Sequence, residues 1–236
     1  DLSLPFKLKR RTNAEIAREA GLEALADMLL GDPTLEPQAS AAAFVREPFT
    51  SEAGDNPGVA DVKAALDGAA SVLTARFSED AELLAKLRER VWREGVLVST
   101  VVKDMEDNGV KFRDYFDYTE ALAKVPPHRT LALLRGRTEK VLRLDLKMPQ
   151  ELEATGWSAE YGPCERMIAA HLELSDESRA ADEWIRGVVR LTWRARLKYS
   201  IETSLFGDLR TAGEEEAIRV FARNLRDLLL AAPAGE

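Results

Sequence analysis

The sequence predicts a mainly α protein: an irregular multi-helix array with one long helix and a minor β element near residues 140–146. Three observations carry that expectation. Ala, Leu, Glu and Arg dominate the composition while aromatics reach only 7%, which favours helix over sheet. Apolar residues recur at three- and four-residue spacing through most of the chain. One segment, Lys140–Lys147, alternates instead, with Val141, Arg143 and Asp145 against Leu142, Leu144 and Leu146. A period of two places the three leucines inside and Val141, Arg143 and Asp145 outside.

Taken in order, Thr12 or Asn13 offers a cap for a short helix Ala14–Ala20, stopped by Gly21. A second helix, Leu22–Leu30, stops at Gly31, and Pro37 opens a third that runs to about Val45. Residues 46–58 are rich in Pro, Gly and acids and read as a loop, with Asp55-Asn56-Pro57-Gly58 as its turn. Helical period resumes over Val59–Phe77, with Val62, Leu66, Ala69, Val72 and Leu73 on one face. The next helix, Asp80–Glu94, stripes Leu83, Leu84, Leu87 and Val91, with Ser78 at the cap position and Gly95 as the stop. Val98–Glu106 could be helix or strand, because the apolar run Val96-Leu97-Val98 and Val101-Val102 fits either period. Phe112, Tyr115, Phe116 and Tyr118 cluster as a corner of the core.

After Pro126 and Pro127, His128–Gly136 reads as a short helix. The strand that follows needs a partner, either the 96–102 run or something outside the chain. Cys164–Glu173 is another short helix. Two long helices, about Ser178–Phe206 and Glu214–Leu230, are expected to pack antiparallel through a turn at Gly207–Gly213. Trp184, Val188, Leu191 and Ala195 would then face Ile218, Phe221, Leu225 and Leu228. The domain expectation is one segment over 1–125 and another over 126–236, or a single continuous domain.

A chain of 236 residues with 45% hydrophobic and 31% charged residues is ordinary for a globular protein. A net charge of −8 argues against a surface that coats nucleic acid everywhere, so any contact needs a local basic patch. The single cysteine, Cys164, excludes an internal disulfide and points to the cytoplasm; Asp1–Lys7 has no basic stretch followed by an apolar core, so it is not expected to be a signal peptide, and no apolar run is long enough to span a membrane. Neither phosphate-loop spacing nor a zinc ligand set occurs. Cys164 and His171, seven residues apart, lie roughly 10 Å apart along a helix, too far for a nucleophile and its base. Asp104, Glu106 and Asp107 read as a solvated acidic run. No catalytic residue, metal site or cofactor is therefore expected.

Three basic groups remain as candidates for nucleic-acid contact. One is Lys7, Lys9, Arg10 and Arg11 beside Phe6. Another is His128 with Arg129, Arg135 and Arg137. The last is Arg186, Arg190, Arg194 and Lys198, at a four-residue step that makes a ridge roughly 18 Å long, bracketed by Asp182 and Glu202. Each competes with the plainer reading of a solvated face or salt bridges to nearby carboxylates.

Four stretches carry a family resemblance. They are Leu4-Pro5-Phe6-Lys7-Leu8-Lys9-Arg10-Arg11-Thr12 with Ile16-Ala17-Arg18-Glu19-Ala20-Gly21-Leu22-Glu23, Lys111–Tyr118, Pro126–Leu144, and Glu214–Leu230. Together they resemble the Tex family of bacterial transcription accessory proteins, collinearly and almost end to end. Phe6 and Leu8 stand where Tyr and Pro are usual in the family, and residues 46–58 match nothing in it. The resemblance implies a helical central segment, followed in the parent by a resolvase-like domain of RNase H fold, helix-hairpin-helix modules and an OB-fold RNA-binding domain. It carries over no catalytic residue. The expected function is then a non-catalytic scaffold whose partners are the neighbouring domains of its parent, nucleic acid through that parent, and transcription machinery. Direct RNA or DNA binding by the basic groups is the alternative, and a small hydrolase using Cys164 or the acidic run is a third.

Overall fold

The computed structural model describes residues 11–152 and 160–231. In chain order it holds α1 (Asn13–Glu19), α2 (Leu22–Gly31), α3 (Pro37–Ala42), β1 (Phe49–Ser51), β2 (Gly54–Asn56), α4 (Val62–Ser78) and α5 (Ala81–Glu94). Then come β3 (Val96–Val101), β4 (Asp117–Ala121), α6 (Pro127–Thr138), β5 (Leu142–Lys147) and α7 (Pro163–His171). α8 (Asp182–Thr192), a π turn (Trp193–Leu197) and α9 (Lys198–Leu230) follow without a break. The fold is mainly α with small antiparallel sheets, as the composition implies. By contacts the chain divides into two compact units, Asp1–Leu84 with Cys164–Leu197, and Ala85–Pro163 with Lys198–Glu236. The division expected between residues 125 and 126 falls inside the second unit.

In the first unit α4 is the central helix, with α1, α2, α3 and α8 packed on it. Ala65, Ala69, Val72 and Leu73 of α4 are fully buried against Leu25, Leu29, Ala41, Ile185 and Val188. Local chemistry sets the helix ends. Thr12 and Glu15 form a reciprocal capping box on α1, and the Asp61 carboxylate accepts the Ala64 N–H at 2.7 Å to start α4. α5 is capped by Asp80, which accepts the Leu83 N–H at 2.9 Å. Ser78, expected in that role, ends α4 instead, its hydroxyl donating to the Ala75 carbonyl. Residues 46–58 are an ordered element and not an open loop. β1 and β2 form a short antiparallel hairpin, closed by a bridge between Arg46 and Val59. Gly58, at φ +71°, sits so close to the bridge that a Cβ would lie 2.5 Å from the Arg46 carbonyl oxygen, so only glycine fits.

The second unit is built on a three-stranded antiparallel sheet in the order β4-β3-β5. The ambiguous 96–102 run is thus the central strand, with Ser99 opposite Tyr118 on one side and Leu144 on the other. Leu142 and Leu146 are buried and Arg143 is exposed, as the alternation requires. Val141 departs from it at 3% exposed. It precedes the strand, its carbonyl accepts the Val102 N–H, and its methyl fills the space left by Gly109. Leu144 and Asp145 are both half-buried. The expected aromatic corner is there in part: Phe112 is buried, and Tyr115 and Tyr118 meet edge-on at 5.5 Å.

The end of the chain corrects two expectations. The long helix starts at Asp182, not Ser178, because Ser178 has φ +61° and cannot be helical. No turn interrupts Gly207–Gly213; α9 runs straight through both glycines. Gly213 is a packing glycine: a Cβ there would come within 2.9 Å of the Leu131 side chain and 3.3 Å of the Pro127 carbonyl, so its absence lets α6 approach α9. The antiparallel pair therefore does not exist. Val188 and Trp184 serve the core of the first unit, while Leu191 and Ala195 are exposed. Ile218, Phe221, Leu225 and Leu228 are 68%, 67%, 43% and 73% exposed. Phe221→Ala should accordingly change the unfolding free energy in urea by no more than about 0.5 kcal/mol, and not by the ~3–5 kcal/mol of a buried aromatic.

Candidate nucleic-acid interface

Lys7, Lys9 and Arg10 lie outside the described residues. Arg11 is turned onto its own unit, 2.6 Å from Glu19 and donating also to the Asp55 carbonyl.

α6 spreads the second basic group around itself. His128 is exposed in the first turn. Arg129 pairs with Glu120 at 3.2 Å beside the Tyr118 ring, and Arg135 pairs with Glu139 at 2.9 Å one turn on. Arg137 differs. Its guanidinium lies 4.5 Å from the centre of the Phe206 ring, and among the described residues it is in no ion pair.

The ridge is where the structure says most. Arg186 pairs with Asp176. Arg190 and Arg194 converge on Glu165, at 3.8 and 3.4 Å, and the Glu165 side chain is only 4% exposed. Lys198 binds Asp145 at 2.8 Å and Glu202 at 3.7 Å. All four cations thus meet carboxylates of the fold. The π turn over Trp193–Leu197 also changes the residues per turn, so the four-residue step between Arg194 and Lys198 does not keep one line. Of the two brackets, Glu202 does reach Lys198, but Asp182 turns to Arg179.

Around Lys198 lies a half-buried charge network. Burial opposes ionisation of Asp145, but the Lys198 ammonium outweighs it and holds the carboxyl below its ordinary value. Glu202 goes the other way: burial first, then the hydrogen bond shared with Asp145, pushes its carboxyl up to about 7. Its Oε1 accepts the Leu146 N–H at 3.2 Å. Below about pH 7 the two carboxyls therefore share one proton, and Lys198 balances the remaining charge.

Sequence reasoning missed one arrangement in this unit. Tyr199, Thr203, Phe206 and Arg210 follow at helical spacing on one face of α9, with Glu202 and Gly207 beside them. Arg137 of α6 and Leu144 of β5 also line a cavity of about 530 Å³ that is partly open to solvent. The signal was present in the i, i+4, i+7, i+11 spacing. Gly207, a helix stop by sequence, hides it. Among the described residues, no group of three or more His, Cys, Asp or Glu side chains could hold a metal ion, and no helix is long and apolar enough to cross a membrane.

Comparison with known proteins adds the following. A family described as Tex central region-like matches residues 32–221. Protein YhgF of Escherichia coli is 50% identical over 235 residues, and Protein tex of Bordetella pertussis is 48% identical over 240 residues. Transcriptional accessory protein Tex of Neisseria gonorrhoeae is 44% identical over 235 residues. Each alignment covers 100% of this chain and 29% of the relative, so the chain spans less than a third of the length of these proteins.

Proposed function

We propose, from the fact that the chain belongs to the Tex family and corresponds to the central region of a longer protein, that it acts as a non-catalytic helical scaffold. In that role it positions the other parts of its parent, which would bind nucleic acid in the service of transcription in the cytoplasm. One observation carries this reading: the described basic residues that sequence alone would assign to nucleic acid are mostly spent on the fold itself. Arg186, Arg190, Arg194 and Lys198 all meet carboxylates, two of them on the buried Glu165. A surface built to track phosphates would present those cations to solvent, where each releases counterions on binding. The name of the Neisseria gonorrhoeae relative, a transcriptional accessory protein, supports the transcription setting.

A mobility-shift titration of the chain on single-stranded RNA and duplex DNA, repeated between about 50 and 200 mM salt, tests the scaffold against a phosphate-tracking ridge. Four phosphate contacts would give a log–log slope of roughly −3 to −4, since each contributes about 0.7–0.9. The scaffold is expected to bind weakly with a slope of about −1 or shallower. A slope of about −3 or steeper overturns it.

A further inference from the structure

We propose that the cavity between α6, β5 and α9 of the second unit is a binding pocket for the phosphate of a nucleotide, held by Arg137 and Arg210. This goes beyond the scaffold reading and stands on different residues. Two guanidiniums face a common space of about 530 Å³, and among the described residues neither is in an ion pair. In a chain with 41 acidic residues against 33 Lys and Arg, that is an unusual arrangement. Bringing two like charges together costs energy unless an anion joins them. Burial, then the Arg210 charge, already makes the Arg137 proton easier to lose than usual, while Glu202 acts in the opposite sense. Glu202 also lines the space, but its carboxyl is committed to the Leu146 N–H, Asp145 and Lys198, which leaves the guanidinium forks without a carboxylate at bonding distance.

The remaining wall suits an organic phosphate better than a bare one. A guanidinium fork matches phosphate oxygens two at a time, and two forks match the near-double charge of a phosphate monoester. Thr203 and Tyr199 offer hydroxyl donors. Leu144 and the Phe206 ring, which Arg137 covers at 4.5 Å, form an apolar floor. Tyr199 is 72% exposed at the wall, an aromatic face available to stack on a base. A methyl group at Gly207 would meet no atom within 4 Å, so the wall is open there. The volume lies within the range of small-ligand sites.

Calorimetric titration of the chain with adenosine monophosphate, adenosine, inorganic phosphate and a short single-stranded RNA tests this. Adenosine monophosphate should bind at least tenfold more tightly than adenosine or inorganic phosphate. Arg210→Ala, on the exposed side of a helix, should weaken it tenfold or more with the melting temperature unchanged. Gly207→Leu should weaken it too while raising the melting temperature, because it fills the cavity and favours the helix. RNA that competes with the nucleotide identifies a strand as the source of the phosphate; RNA that fails to compete identifies a free nucleotide, and either result supports the pocket. No binding of the nucleotide or the RNA at millimolar concentration overturns the proposal, as does binding that Arg210→Ala leaves unchanged. The salt-slope experiment can fail without touching this result, because one phosphate contact contributes less than one unit of slope.

Discussion

Asp182→Ala should lower the unfolding free energy, followed by urea denaturation, by about 2–4 kcal/mol. The Asp182 side chain is 2% exposed and carries three duties at once. It accepts the backbone N–H groups of Glu177 at 2.9 Å and Arg179 at 2.8 Å, and it binds the Arg179 guanidinium at 2.9 Å. It thereby ties the 177–179 turn to the first turn of α8. The Arg179 hydrogen bond above all, against the penalty of burial, holds the carboxyl down at about 2. The folded-state value is depressed, so the stabilisation is complete above the ordinary value of 3.8 and disappears as pH falls through about 2. Asp182→Asn should lose less at neutral pH and should also lose the acid-sensitive part. A cost below about 1 kcal/mol for the alanine variant would show that water replaces the carboxylate without penalty.

The second large effect has the opposite sign with pH. Glu202, raised from 4.5 to about 7 in the folded protein, binds its proton more tightly folded than unfolded. Its stabilisation is therefore complete below about pH 4.5 and is lost as pH rises through about 7. Glu202→Gln keeps a donor for Asp145 and an acceptor for the Leu146 N–H but cannot ionise. It should flatten the stability profile between pH 5 and 8 and leave the variant about 2 kcal/mol more stable than the parent near pH 8. A parent whose stability does not decline across that interval would show that Lys198 compensates Glu202 in its charged form.

Much of the fold was legible because it follows from short-range chemistry. Thr12, Pro37 and Pro127 mark helix starts in the sequence and in the structure alike. The alternation over Lys140–Lys147 announced a strand, which the structure places at Leu142–Lys147. What escaped depends on distant partners. Gly213 reads as a breaker in one dimension, and only the approach of Leu131 and Pro127 turns it into a contact point within a helix. The stripe Ile218–Leu228 has the period of a buried face, yet period alone does not say that a core lies beside it. The candidate interface shows the same limit. A four-residue step of cations looks like a ridge until Glu165 and Asp145 arrive from other elements, and until a π turn shifts the count. Arg210 had no neighbour in sequence to draw attention to it. Its significance comes from Arg137, far earlier in the chain.

Cys164, the sole cysteine of the chain, has no exposed surface and opens α7 in the first unit. A thiol reagent in native buffer can reach it only when that part of the protein opens. The rate of labelling is therefore a clock for the opening of the structure around α7, untouched by any other sulfhydryl of the chain. At low reagent the rate reports the opening equilibrium, and at high reagent it reports the opening step itself. The sequence thus contains, without engineering, a single-site chemical probe of its own breathing motions.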